Sequence, residues 1–214
     1  MTTEESSHDA LIVKGLTRVF NKHLVAVDHV DFTVKEGEIF GFLGPNGAGK
    51  TTTINMLITI LKPTEGNATV CDYDISKHAS EVRSCIGVVP QEYTADEDLT
   101  GYENIILCAD LYGIPRDVSK KRAQELLELV ELTKFKDKQV QTYSGGMRRR
   151  LELACGLINR PHLFFLDEPT LGLDVQTREA TWNYIKLLKK EYGMTVFMTT
   201  HYLEEADILC DRIA

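Results

Sequence analysis

One eight-residue stretch, Gly44-Pro45-Asn46-Gly47-Ala48-Gly49-Lys50-Thr51, fits the spacing GxxxxGK[ST] and constrains this chain more than any other part of it. An uncharged run, Ile39 to Leu43, precedes it. Behind it Ile54, Leu57, Ile58 and Leu61 recur at i, i+3, i+4 and i+7. The run reads as a strand covered on both faces and the periodicity as an amphipathic helix. Strand, glycine-rich turn and helix in that order make a phosphate cradle. The glycines let backbone N–H groups curl around phosphate oxygens, at a helix N-terminus carrying about half a positive charge. The cradle is expected to run from Gly44 through Thr52. Within it Lys50 would bridge β- and γ-phosphates and the Thr51 hydroxyl would ligate Mg²⁺.

The same two signals recur along the chain. Uncharged runs lie at Ile86 to Val89, Leu163 to Leu166 and Thr195 to Met198. Helical spacing appears at Ala123, Leu126, Leu127 and Val130, and again at Leu151, Ala154, Cys155 and Ile158. Buried strands alternating with amphipathic helices predict an α/β fold whose sheet is mostly parallel. Before the cradle, Val30-Asp31-Phe32-Thr33-Val34 alternates with period two, which predicts an N-terminal antiparallel β subdomain. Two helical patterns fall between the runs at Ile86 and Leu163, more than one crossover requires. Residues 92–159 are therefore read as a helical subdomain inserted into a single core domain of about 10–91 and 160–214.

Composition narrows the partners. With 43% hydrophobic and 26% charged residues a buried core is expected, and a formal charge of −8 argues against nucleic acid or an anionic membrane surface as the main partner. The run Arg148-Arg149-Arg150 is accordingly read as a solvated helix face. No stretch approaches the roughly 18 uncharged apolar residues of a membrane span, and Met1 to His8 is polar and acidic, unlike a signal peptide. Five cysteines, an odd number without CxxC spacing, predict neither a disulfide frame nor a zinc site but small buried thiols in a reducing cytosol.

The chemistry beside the cradle comes from two further places. Leu163-Phe164-Phe165-Leu166-Asp167-Glu168 ends a buried strand in two adjacent carboxylates, which are costly there unless used. Asp167 suits Mg²⁺, and Glu168 suits polarising a water for attack on a γ-phosphorus. His201 follows the strand at Thr195 and should reach the same C-terminal sheet edge, where it can bond the γ-phosphate or the attacking water.

Together these residues resemble the nucleotide-binding domain of ATP-binding-cassette (ABC) transporters, from about Leu11 to Ala214. Ser144-Gly145-Gly146 stands at the family's signature motif, Gln91 at the Q-loop glutamine, Asp174 in Gly172-Leu173-Asp174 at the D-loop, His201 at the switch histidine and Phe20 at the aromatic that stacks on adenine. The resemblance implies a P-loop NTPase core that binds ATP and Mg²⁺, with Gln91 adding to the metal ligands and to catalysis. It also implies a head-to-tail dimer in which Ser144, Gly145 and Gly146 of one chain cover the ATP held by the other, and transmembrane permease subunits that dock the chain on the cytoplasmic face of the membrane. Ser144 can itself cap a helix beginning near Met147, leaving bare amides as a second anion site.

Tyr143 and Met147 replace the commoner leucine and glutamine of the signature. With Glu97 to Asn104, this variant is similar to daunorubicin-resistance exporter ATPases, which implies export. The family usually continues beyond Ala214 with another strand and a tail, so a truncated piece is expected. Soluble members acting in DNA repair or translation fit less well. Glu92 to Tyr143 is too short for a repair protein's coiled coil, and one cassette is present where translation factors usually carry two. A scaffold that binds ATP without hydrolysis is disfavoured by the set Asp167, Glu168 and His201.

Overall fold

Antiparallel pairing begins the fold, since β1 (Asp9–Phe20) and β2 (Leu24–Lys35) run side by side before the chain enters β3 (Ile39–Leu43). The structure, a computed structural model, describes residues 8–21 and 23–214; the stretch Met1–Ser7 lies outside them. After β3 come α1 (Lys50–Leu57), β4 (Glu65–Val70), β5 (Tyr73–Asp74), α2 (Ala79–Cys85) and β6 (Ile86–Val89). Next are α3 (Gly101–Leu111), α4 (Arg116–Leu129), α5 (Gly145–Leu157) and β7 (Leu163–Asp167). The chain then runs through α6 (Val175–Tyr192), β8 (Thr195–Thr200), α7 (Leu203–Leu209) and β9 (Arg212–Ile213).

Two sheets result. One has the order β2-β1-β4-β5 and is antiparallel; the other has the order β6-β7-β8-β3-β9 and is parallel at every pairing. The expected α/β P-loop NTPase fold is therefore present, including its N-terminal antiparallel sheet. The uncharged runs are covered on both faces, because successive side chains point to opposite sides. On β7, Leu163 and Phe165 join the core that fills the space to the antiparallel sheet, while Phe164 and Leu166 join a second core under α5, α6 and α7. Phe32 of β2 stacks on Phe40 of β3 at 5.4 Å and on Phe197 of β8 at 5.7 Å, so aromatic rings join the two sheets.

A third core belongs to the helices between β6 and β7. Ile105 and Ala109 of α3, Ala123 and Leu127 of α4 and Leu151 and Ala154 of α5 meet there, with Tyr143 at its edge. The segment holds three helices where two were expected. Helix α3 begins with a capping box, in which Thr100 accepts from the Glu103 N–H and the Glu103 carboxylate accepts from the Thr100 N–H. This subdomain meets the parallel sheet at a glycine seam. A Cβ at Gly87 of β6 would lie 2.1 Å from the Gly156 carbonyl oxygen of α5, and one at Gly156 would lie 2.7 Å from the Phe164 ring.

Three further expectations need correction. Helix α1 stops at Leu57, one turn short of the periodicity, because Thr59 turns left-handed at φ 67°; half-buried Leu61 packs on the core from beyond the helix. Of the five cysteines only Cys85 is fully buried, and all five are free thiols. Desolvation nonetheless pushes the Cys210 thiol up to about 12, which makes it inert. The arginine run is not a solvated face. Arg149 is 1% exposed, Arg148 pairs with Glu97, and Arg150 donates to the Val130 carbonyl at 3.1 Å. Among the described residues, no helix is long and apolar enough to cross a membrane.

Candidate functional site

The loop from Gly44 to Gly49 links β3 to α1 and is anchored at its start by the Gly44 N–H, which donates to the Thr200 carbonyl at the end of β8. Gly47 and Gly49 sit at φ 82° and 89°, a region that favours glycine. At Gly49 a side chain is also blocked, because a Cβ would lie 2.3 Å from the Ala26 carbonyl oxygen. Gly49 is the N-cap of α1 without any side-chain cap, and the first turn holds no acidic residue. The first amides of the helix are therefore left for an anion.

A cavity of about 300 Å³ opens at this helix start, lined in part by Asn46, Lys50, Thr51, Thr52, Gln91 and Glu168. Buried Lys50 reaches three acceptors there: the carbonyls of Gly44 at 2.9 Å and Pro45 at 3.1 Å, and Glu168 Oε1 at 3.1 Å. The second oxygen of Glu168, Oε2, lies 3.0 Å from His201 Nδ1. Strand order brings these groups together, since β3, β7 and β8 are neighbours and all end on one edge. Glu168 itself is left-handed at φ 47°, directly before Pro169, an uncommon conformation for glutamate.

Nothing in the linear sequence marks Thr199 as a site residue. In the β7–β8 register it stands opposite Asp167, where its hydroxyl donates to Asp167 Oδ1 at 2.5 Å and accepts from the Glu168 N–H at 3.0 Å. One hydroxyl thus aims both acids. Asp167 is buried and is not part of the cavity lining, whereas exposed Thr51 is. The set Thr51 hydroxyl, Asp167 carboxylate and Gln91 amide oxygen is made of hard donors, which suits Mg²⁺ chemically. Among the described residues no cluster of three or more His, Cys, Asp or Glu is placed to hold a metal.

The other expected site residues lie off this cavity. Ser144 caps α5, its hydroxyl accepting from the Met147 N–H at 3.3 Å, and Ser144 and Gly145 are exposed. Gly146 lies against α6, where a Cβ would meet Thr177 at 2.5 Å. Asp174 caps α6 through the Thr177 N–H at 3.0 Å, and that bond holds its carboxyl below the usual range. Half-buried Phe20 ends β1 with the Arg18 guanidinium 4.6 Å from its ring centre. Two surfaces emerge: a charged pocket at the sheet edge and the serine-capped, exposed start of α5.

Residues 27–171 match the ABC transporter family. The chain is 45% identical over 205 residues to the doxorubicin resistance ATP-binding protein DrrA of Mycobacterium tuberculosis, covering 95% of this chain and 62% of that one. To the linearmycin resistance ATP-binding protein LnrL of Bacillus subtilis it is 42% identical, covering 95% and 65%. The chain thus spans less than two thirds of the length of these curated relatives. Among solved structures, the dimeric structure of MJ0796, a bacterial ABC transporter cassette, superposes with a TM-score of 0.83 at 30% identity, covering 93% of this chain and 91% of that one. A dimeric post-hydrolysis state of the same cassette, bound to ADP and Pi, gives 0.82 at 29%, with 93% and 91% covered. With a cradle, an acid pair and a capped second helix start in place, and two thirds of its length inside the family match, this chain belongs to the ABC transporter family.

Proposed function

We propose that this chain is the ATP-binding and ATP-hydrolysing subunit of a membrane exporter. The observation that carries the reading is the convergence of Lys50, Glu168 and His201 at the uncapped start of α1. In this reading the amides from Gly44 to Thr52 and the Lys50 ammonium hold the β- and γ-phosphates, and Phe20 offers its ring to the adenine. Thr51, Asp167 and Gln91 would hold Mg²⁺, which when bound neutralises phosphate charge. Glu168 takes the proton of the attacking water as general base, and His201 fixes the orientation of that carboxylate. Thr199 holds Asp167 and the Glu168 backbone so that neither acid drifts when the proton arrives.

Ser144 to Gly146 would complete the site of a second chain, with Asp174 beside them at the joint between α5 and α6. Dimeric cassette structures of the family support this pairing. The resistance proteins among the relatives support export, and exposed apolar residues on and beside α3, Leu107, Leu111 and Tyr112, offer a docking face for a permease on the cytoplasmic side. The decisive measurement is phosphate release from Mg-ATP by the purified chain. Glu168→Gln is expected to slow it by roughly 10²- to 10⁴-fold, the usual share of a general base, while keeping ATP bound and promoting self-association. Unchanged turnover in that variant removes Glu168 from the chemistry.

A further inference from the structure

Two buried charges on α5 take no part in the chemistry above. Arg149 is 1% exposed and Glu152 is 3% exposed, and neither forms an ion pair among the described residues. Each spends its charge on one loop instead. Arg149 Nη1 donates to the Pro90 carbonyl at 2.8 Å and Nη2 to the Gln91 carbonyl at 2.9 Å, with the Tyr93 ring 5.1 Å from its Cζ. Glu152 accepts from the Thr94 N–H at 2.7 Å, the Ala95 N–H at 2.8 Å and the Thr94 hydroxyl at 2.9 Å. The Tyr93 hydroxyl closes the set by donating to the Gly145 carbonyl at 3.2 Å.

The cost of this arrangement says what it is for. Burying a guanidinium is expensive, and Arg149 even leaves its buried Nε without a partner. What arginine alone supplies is a rigid fork that holds two successive carbonyls at once. The carbonyl it grips second is that of Gln91, whose residue lines the phosphate cavity. The helix that carries the fork begins at Ser144, the other proposed ligand surface.

We propose that Arg149 and Glu152 are positioning residues that fasten residues 90–95 to α5, so that Gln91 at the cavity and Ser144–Gly146 at the helix start move as one rigid piece. A change at the metal edge of one cavity is thereby carried to the surface that meets the second chain. This inference rests on the ATP-hydrolysis reading for its catalytic consequence but not for the fastening itself.

The test uses the full chain in two measurements. Hydrogen exchange at the Thr94 and Ala95 amides reads the fastening directly; Glu152→Met is expected to speed it, while Glu152→Gln keeps it slow, because the amide oxygen still accepts from both N–H groups and its NH₂ donates to Thr94. Phosphate release against Mg²⁺ concentration reads the consequence. Arg149→Met and Glu152→Met are expected to lower kcat by up to about 10²-fold and to raise the Mg²⁺ needed for half-maximal turnover, as loosening of a ligand by about 1 Å does, with ATP affinity within about 2-fold of wild type. Arg149→Lys, able to reach only one carbonyl, should fall between, and Glu152→Gln should recover most of the turnover. Slow exchange in Glu152→Met overturns the proposal. So does unchanged kcat and Mg²⁺ dependence in both methionine variants, or a Glu152→Gln as impaired as Glu152→Met, which would make charge rather than geometry the cause. A wild-type chain that releases no phosphate overturns the hydrolysis reading alone, and the exchange result then decides the clamp.

Discussion

The cradle at Gly44–Thr52 and the helix start at Ser144–Gly146 both offer backbone amides, but in opposite settings. Around the cradle, buried Lys50 and Glu168 and the neighbouring His201 converge from three parts of the chain, and packed β-strands stand behind them. At the start of α5 no acidic side chain occupies the first turn, the serine hydroxyl is already used as a cap, and Ser144 and Gly145 face outward. Coulomb attraction is strong in the first setting and screened in the second. A phosphate chain can therefore be gripped by the cradle alone, whereas the second surface adds only what a few amides and a small residue can give to a nucleotide already held. Under the proposed function, that difference is why one chain would need another.

The comparison can be broken most severely at Lys50. Lys50→Ala is expected to weaken nucleotide binding by roughly 10- to 100-fold, the loss of charge-assisted hydrogen bonds, read by titration with a fluorescent ATP analogue; wild-type affinity would contradict the cradle. Thr199→Val keeps the shape of strand β8 but leaves buried Asp167 and the Glu168 N–H short of a partner, an expected cost of about 1 to 3 kcal/mol in stability. Denaturant unfolding checks that, and turnover should fall while ATP affinity holds. If turnover stays level, one hydroxyl does not aim the two acids. The mildest change sharpens the contrast. Ser144→Ala should cost about 1 kcal/mol through its lost helix cap and leave single-chain ATP affinity alone, but weaken ATP-dependent self-association in a Glu168→Gln background, as seen by sedimentation. Equal self-association with and without the serine would detach that surface from the second chain.

The parts readable from the chain itself were those with local causes. Ile39 to Leu43 and Leu163 to Leu166 announce buried strands because both faces are covered, and the cradle announces itself because glycine, lysine and threonine are needed at fixed steps. Helix α3 was not expected, although Thr100-Gly101-Tyr102-Glu103 carries a local signal for its start, a capping box with its reciprocal bonds. Arg149 and Thr199 were beyond reach. Arg149 looks like one of three solvated charges until Pro90 and Gln91, far back in the chain, are seen to supply its acceptors. Thr199 looks like an ordinary strand residue until parallel pairing sets it across from Asp167. In both cases the partner is fixed by long-range register, which no window along the sequence contains.

Gly87 against Gly156 carries a last consequence. Gly156 lies twelve positions after Ser144, so α5 is a lever about 18 Å long whose far end rests on bare backbone. Wedging even a methyl group under that end, 2.1 Å from the facing carbonyl oxygen, would push the helix off the sheet and carry the opposite tip with it, enough to spoil alignment with another molecule. The two glycines thus behave like the tolerance of a bearing: the precision they set is spent at the other end of the shaft.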